Sequence, residues 1–271
     1  MPQEQSAKDL NADDALSSYR FVQLMIAVVA FLLPIVTIWY VRFINHLPMD
    51  SISMTYHSPR RDLFVGFLCA LGLAFMSYGR RGVSSRDKKA GKGKYRADGW
   101  LAIVTGLSAL GIALFPTAPC ESPGFTQRCP GYASAEIVVS TIHAALTGVL
   151  MVLIVVFCLF RFVKVDTNST DQRLVSKVVR GLVPNTSDNW KKQTNWVYRW
   201  SGRVIVVSIV YIGVVNLLAF ANPDDLKPSV GLAETLAIWA FGLAWLTKSG
   251  YYGWFLVLLR LFRRCIRKAP Q

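Results

Sequence analysis

Apolar residues in this chain gather into six long runs, at about 21–41, 63–78, 99–115, 136–162, 204–221 and 230–246, with polar and basic segments between them. A helix of about 20 apolar residues reaches across a hydrocarbon core of roughly 30 Å. In lipid a backbone satisfies its own hydrogen bonds only by coiling, so each run reads as a helix. The pattern predicts an all-α, polytopic transmembrane helix bundle of six spans. The runs at 63–78 and 99–115 are short for a span and gain length from their flanks. The first run follows no basic segment and lacks a small-residue cleavage site, which makes it a retained anchor rather than a signal peptide. Residues 1–18 are a mobile tail, residues 19–250 the bundle, and residues 251–271 a basic amphipathic helix and tail.

Charge orients the bundle. Lys and Arg accumulate on the cytoplasmic side of a membrane. Arg80, Arg81, Arg86, Lys88, Lys89, Lys92, Lys94 and Arg96 lie between the second and third runs. Arg161, Lys164, Arg173, Lys177, Arg180, Lys191, Lys192, Arg199 and Arg203 lie between the fourth and fifth, and Lys248 and the arginines beyond it follow the sixth. The alternate segments hold little positive charge: Arg128 after the third run and Lys227 after the fifth. The first loop departs from this alternation, with Arg42, Arg60 and Arg61. Both termini are therefore expected in the cytoplasm, with the bundle multi-pass in the inner or plasma membrane.

Composition agrees: 53% of the 271 residues are hydrophobic and only 17% charged, against roughly 25% charged in soluble domains. The net charge of +14 lies between apolar runs, so it reports topology and anionic headgroups on the cytoplasmic side, not nucleic acid. Cys120 and Cys129 flank a turn-rich loop on the outer side, where a disulfide persists. The sequons at Asn168 and Asn185 fall on the inner side and are discounted. In 251–268, Phe255, Leu258, Leu259, Phe262 and Ile266 share one helical face and Arg260, Arg263, Arg264 and Arg267 the other. That is an interfacial helix held by anionic lipid, unless the sixth span simply continues past Gly250. The stretch 188–203, with Trp190, Trp196 and Trp200 among Lys and Arg, reads as a similar surface segment.

Ionisable residues inside spans are costly, so they point to function. Asp62 opens the second span, His143 lies two turns into the fourth, and Glu234 one turn into the sixth. All three fall within about two turns of the same outer surface, roughly 11 Å of depth. Asn216 and the first-loop residues His46, Ser51, Ser53 and His57 lie on that side too. The pattern predicts that Asp62, His143 and Glu234 cluster, giving His143 a carboxylate partner. His143 would serve as a general base, with Asp62 or Glu234 orienting it or a metal. His143, Glu234, Asp62 and His57 are donors that zinc accepts, although the chain has three histidines in all and no His-Glu-x-x-His spacing.

Each residue also has a structural role open to it. Asp62 and Glu234 suit the first turn of a helix. His143 shares a polar stripe with Ser140 and Thr147 and can be a hydrogen-bonded core histidine. Asn216 reads as a bond between helices, His46 and His57 as loop residues, and Lys248 as a snorkelling anchor.

Four stretches carry a resemblance: Arg61-Asp-Leu-Phe-Val-Gly-Phe-Leu-Cys with Tyr78, Ala113-Leu-Phe-Pro-Thr117, His143 at the start of its span, and Glu234 with Trp239-Ala-Phe-Gly-Leu-Ala-Trp-Leu-Thr-Lys248. Over residues 20–250 the chain resembles a group of uncharacterised six-helix bacterial membrane proteins. That group is distantly similar to DRAM/Sfk-type membrane proteins and, more loosely, to membrane ceramidase-like hydrolases. The last carry a His-x-x-x-His pair in their final span, which this chain lacks. The resemblance implies that Asp62, His143 and Glu234 belong together. The expectation is a lipid-binding or lipid-processing membrane protein with an outward-facing polar pocket. The alternatives are a scaffold or accessory subunit with a membrane-protein partner, and a small transporter.

Overall fold

The computed structural model describes residue 18 and residues 20–40, 51–84, 94–117, 134–163, 190–221 and 230–250. Among these it is all helical, with six long helices: α1 (Arg20–Trp39), α2 (Arg61–Ser84), α3 (Lys94–Leu114), α4 (Ser134–Val156), α5 (Trp190–Ala221) and α6 (Gly231–Ser249). A short 3-10 turn, Ser53–His57, precedes α2. His46, the Cys120–Cys129 loop, the sequons and the basic stretch 251–268 lie outside the described residues.

Among the described residues, four stretches are long and apolar enough to cross a membrane by length and composition: Arg20–Trp39, Arg61–Arg80, Ile137–Arg161 and Thr194–Leu218. Asp98–Leu114 is a shorter apolar stretch within α3. Their outward faces are apolar: Leu114 is 69% exposed, and Val207 and Leu217 each 67%. A belt of bare aliphatic side chains suits lipid and is unfavourable in water. Hydroxyls within the helices are satisfied locally, bonding to the carbonyl four residues back at Thr37, Thr105, Ser108, Thr141, Thr147, Thr235 and Thr247. Such residues need no water in an apolar setting.

The helix α6 is buried on more than one side. Its buried residues recur on more than one face, from Gly231 and Ala233 to Trp245, Thr247 and Ser249. Trp239 Nε1 donates to the Phe31 carbonyl of α1 at 3.2 Å, and a Cβ on Gly242 would lie 3.2 Å from Ala30. Trp245, with no exposed surface, meets the rings of Phe75, Tyr78, Phe157, Phe162 and Phe241 at centroid distances of 5.0–6.1 Å. These rings come from α2, from the end of α4 and from α6 itself, so one indole ties three helices together.

Two helices widen into π turns. Pro34, which cannot donate a backbone hydrogen bond, is followed by a π-helical turn, Ile35–Trp39. The end of α4 widens into a second π turn, Phe157–Arg161, whose Arg161 forms an ion pair with Asp98 of α3. The long α5 corrects one expectation: residues from Trp190 through Arg203 continue the fifth helix without a break. Asn216 corrects another, since its amide donates to Ile212 of its own helix at 2.7 Å and not to a neighbour. Finally, α6 ends at Gly250, which adopts the left-handed conformation (φ 85°) and closes the helix on Thr247. This excludes the same helix running on through Gly250, because the left-handed turn breaks the ladder.

The antiparallel pair α2–α3 packs backbone to backbone. Gly72 and Gly79 face Gly106 and Gly99, and a Cβ on Gly72, Gly79 or Gly106 would come within 2.6–2.8 Å of a facing glycine carbonyl. Only glycine admits that backbone contact. Gly106→Leu is expected to cost about 1–3 kcal/mol and to lower the thermal midpoint in detergent. Gly66→Ala and Gly148→Ala, whose added Cβ would meet nothing within 4 Å, should leave it unchanged or raise it.

Candidate functional site

At the end of the bundle where α2, α4 and α6 begin, the segment Ser51–Ser58 lies over the helix ends. Hydrogen bonds within the segment hold its shape. Ser51 Oγ accepts from the Ser53 amide at 3.2 Å. Ser58 Oγ donates to the Thr55 carbonyl at 2.8 Å and accepts from the Arg60 amide at 3.1 Å. Ile52 and Thr55 are buried beneath it.

Three anchors hold the segment down. The first is Glu234, in the first turn of α6. Its carboxylate accepts the Ser51 hydroxyl at 2.9 and 3.0 Å and the Ile52 amide at 2.6 Å. Hydrogen bonds to a charged acceptor are the stronger kind. The second is His143 of α4, only 4% exposed, bonded at both ring nitrogens. Nδ1 lies 2.6 Å from the Phe115 carbonyl and Nε2 lies 3.1 Å from Ser53 Oγ. A carbonyl only accepts, so Nδ1 carries a proton. In the neutral ring Nε2 then offers a lone pair, to which the Ser53 hydroxyl donates. The third anchor is the Thr117 carbonyl, which accepts from Nε2 of the exposed His57 at 2.7 Å.

His143 and Glu234 thus reach the same end of the bundle, each holding one serine of Ser51-Ile52-Ser53. Asp62 stands exposed in the first turn of α2 and takes no part in these hydrogen bonds. The partner that orients His143 is a main-chain carbonyl. Ser51 and Ser53 were legible as polar residues of this loop, but nothing in their spacing pairs them with Glu234 and His143. The carbonyls of Phe115 and Thr117 leave no trace in side-chain pattern at all.

The zinc donor set can be tested on this geometry. Both nitrogens of His143, both oxygens of Glu234 and Nε2 of His57 are engaged with protein partners, and Asp62 is exposed. Among the described residues no three His, Cys, Asp or Glu side chains converge in a way that would hold a metal ion.

Two arginines border the segment. Arg61 donates to the Tyr56 hydroxyl at 2.8 Å with its guanidinium carbon 4.5 Å from the centre of that ring. The guanidinium carbon of Arg60 lies 4.2 Å from the ring centre of Tyr40, at the end of α1.

Chemically, the arrangement holds a hydroxyl against a ring nitrogen whose tautomer the backbone sets, beside a carboxylate and two arginines. Comparison with models of protein families, with curated proteins and with solved structures finds no match to this chain, so the resemblance noted in the sequence rests on its motifs alone.

Proposed function

We propose that the chain is a six-span membrane protein with both termini in the cytoplasm, and that it binds or processes lipid at its outer end. The apolar perimeter and the segregation of Lys and Arg along the sequence support the membrane setting and the orientation. They leave Ser51–Ser58 facing outward at the headgroup level.

One observation carries the lipid-processing reading. His143, locked by the Phe115 carbonyl, turns a lone pair on Nε2 toward the Ser53 hydroxyl. A hydroxyl, a base and a group orienting the base are the elements of an activated nucleophile or of a general base that draws a proton from a substrate hydroxyl. Glu234 positions the neighbouring Ser51 and Ile52 and so the turn bearing Ser53. A second reading, a scaffold or accessory subunit, is favoured by the same network being closed on protein partners. There, the three anchors form a latch that shapes the outer face for a membrane partner.

Turnover separates the two. With lipid esters and amides as substrates, His143→Ala and Ser53→Ala should each lower turnover by about 10²-fold or more while the protein still elutes as a folded species. If neither lipid class is turned over by the unaltered protein, the processing reading fails. Metal analysis belongs to the same preparation: stoichiometric zinc would replace the general-base role of His143 with metal-assisted chemistry.

The latch has its own measurement. Glu234→Ala removes the acceptor for Ser51 and Ile52 and should speed hydrogen exchange across 51–58, while exchange around Trp245 stays slow.

Topology is tested by labelling. Introduced cysteines at 84–96 and 165–195 should be protected from an impermeant reagent in intact cells, and those at 121–128 should react. Cys120 and Cys129 should resist alkylation until reduced. An externally labelled 84–96 would reverse the orientation and move the site to the cytoplasmic face.

A further inference from the structure

Positive charge on the outer side of a bundle runs against the distribution that orients it, and in this chain the departure is concentrated in the first loop. Arg60 and Arg61 sit there directly before and at the start of α2. Neither guanidinium is paired with a carboxylate among the described residues. Each lies instead over an aromatic ring: Arg60 over Tyr40 and Arg61 over Tyr56. The Nε of Arg60 is buried and has no hydrogen-bond partner among the described residues. Arg61 gives one N–H to the Tyr56 hydroxyl, and an arginine stacked on a ring keeps the rest of its planar fork at the edge, the geometry that matches a phosphate.

The two arginines frame the segment that holds Ser53. Tyr56, which carries Arg61, belongs to the same 3-10 turn as Ser53 and packs edge-on against His57 and Phe64. Arg60 is tied to the turn through Ser58. With the exposed Asp62 counted, the three adjacent side chains carry a net charge of +1, the complement of a single phosphodiester.

From this placement we infer that Arg60 and Arg61 clamp the phosphate of a glycerophospholipid headgroup beside Ser53 and His143. The inference rests on the lipid-handling reading and deepens it by naming the substrate class. Tyr40 and Tyr56 hold the two guanidinium planes in position before the lipid arrives, so little side-chain freedom is lost on binding. The phosphate accounts for two outer-side arginines that topology alone would disfavour.

The test measures binding of phosphatidylglycerol and of diacylglycerol with the same acyl chains to the purified full-length protein, by native mass spectrometry at matched concentrations. Phosphatidylglycerol should bind at least about tenfold more tightly, since its phosphate alone can form charge-assisted bonds with the clamp. R60Q/R61Q should abolish that preference, R61Q at the exposed position should weaken it, and R60K/R61K should restore it only in part. Arg199→Gln, at the opposite end of the bundle, should leave it intact. A preference unchanged in R60Q/R61Q, or equally lost in Arg199→Gln, would overturn the clamp, and R61Q decides the matter if the double variant does not fold. Equal binding of both lipids by the unaltered protein would also overturn it, leaving the lipid-handling reading in place. Binding of neither would remove that reading as well.

Discussion

A helix surrounded by hydrocarbon has no water to satisfy a stray polar group, and the helices of this chain, four of them long and apolar enough to cross a membrane, are built in a way that meets that constraint. Hydroxyls along the helices bond to their own backbone four residues back. Side chains that require a distant partner are gathered toward the ends: Asp98 with Arg161 at one, the Ser51–Ser58 anchors at the other. Between the two ends the contacts are mostly of shape, with the Trp239–Phe31 hydrogen bond as a polar exception. Glycines let α2 and α3 touch backbone to backbone, and Trp245 fills the space between α2, α4 and α6 with ring contacts. Apolar attraction between helices counts for little when the solvent is itself apolar, which leaves close packing as the main source of cohesion.

The segment before α2 is thoroughly tied down. It lies over three helix ends, and its amides and hydroxyls meet partners that belong to other helices. Glu234 serves Ser51 and Ile52, His143 serves Ser53, and the Thr117 carbonyl serves His57. The anchors lie as many as 183 positions along the chain from the residues they hold, so the segment's shape depends on α3, α4 and α6 assembling correctly. Chemistry and architecture share these contacts: the bond that sets the tautomer of His143 also joins α4 to the residue just after α3.

Much of the fold could be read from the sequence because hydrophobic clustering is a local property. The six apolar runs coincide with the six long helices to within a few residues at most of their ends. The largest departure is the start of α5, where Trp196, Arg199, Trp200 and Arg203 suggested a separate surface segment. That face is indeed exposed, but Val197, Tyr198, Ser201 and Ile205 between them are buried, and the helix runs through. A polar stripe on one side of a helix and a helix lying on a surface produce the same pattern, and only the neighbours of the opposite face distinguish them. The glycines of α2 and α3 illustrate a related gap. Their seven-residue spacing is visible in the sequence, but which helix they face is not.

For the candidate site, the sequence by itself determined which ionisable side chains approach one end of the bundle, because depth along a helix follows from counting residues at 1.5 Å each. It identified His143 and Glu234 on that basis, and it placed Asp62 at the same level with equal justification. Only the tertiary structure decided which way each side chain turns about its helix and what it meets. That rotation leaves Asp62 exposed, sets Glu234 on Ser51 and Ile52, and gives His143 a carbonyl and a serine in place of a carboxylate. Main-chain carbonyls are identical at every residue, so no sequence pattern could have named Phe115 or Thr117 as partners; the folding of the chain alone brings them within reach.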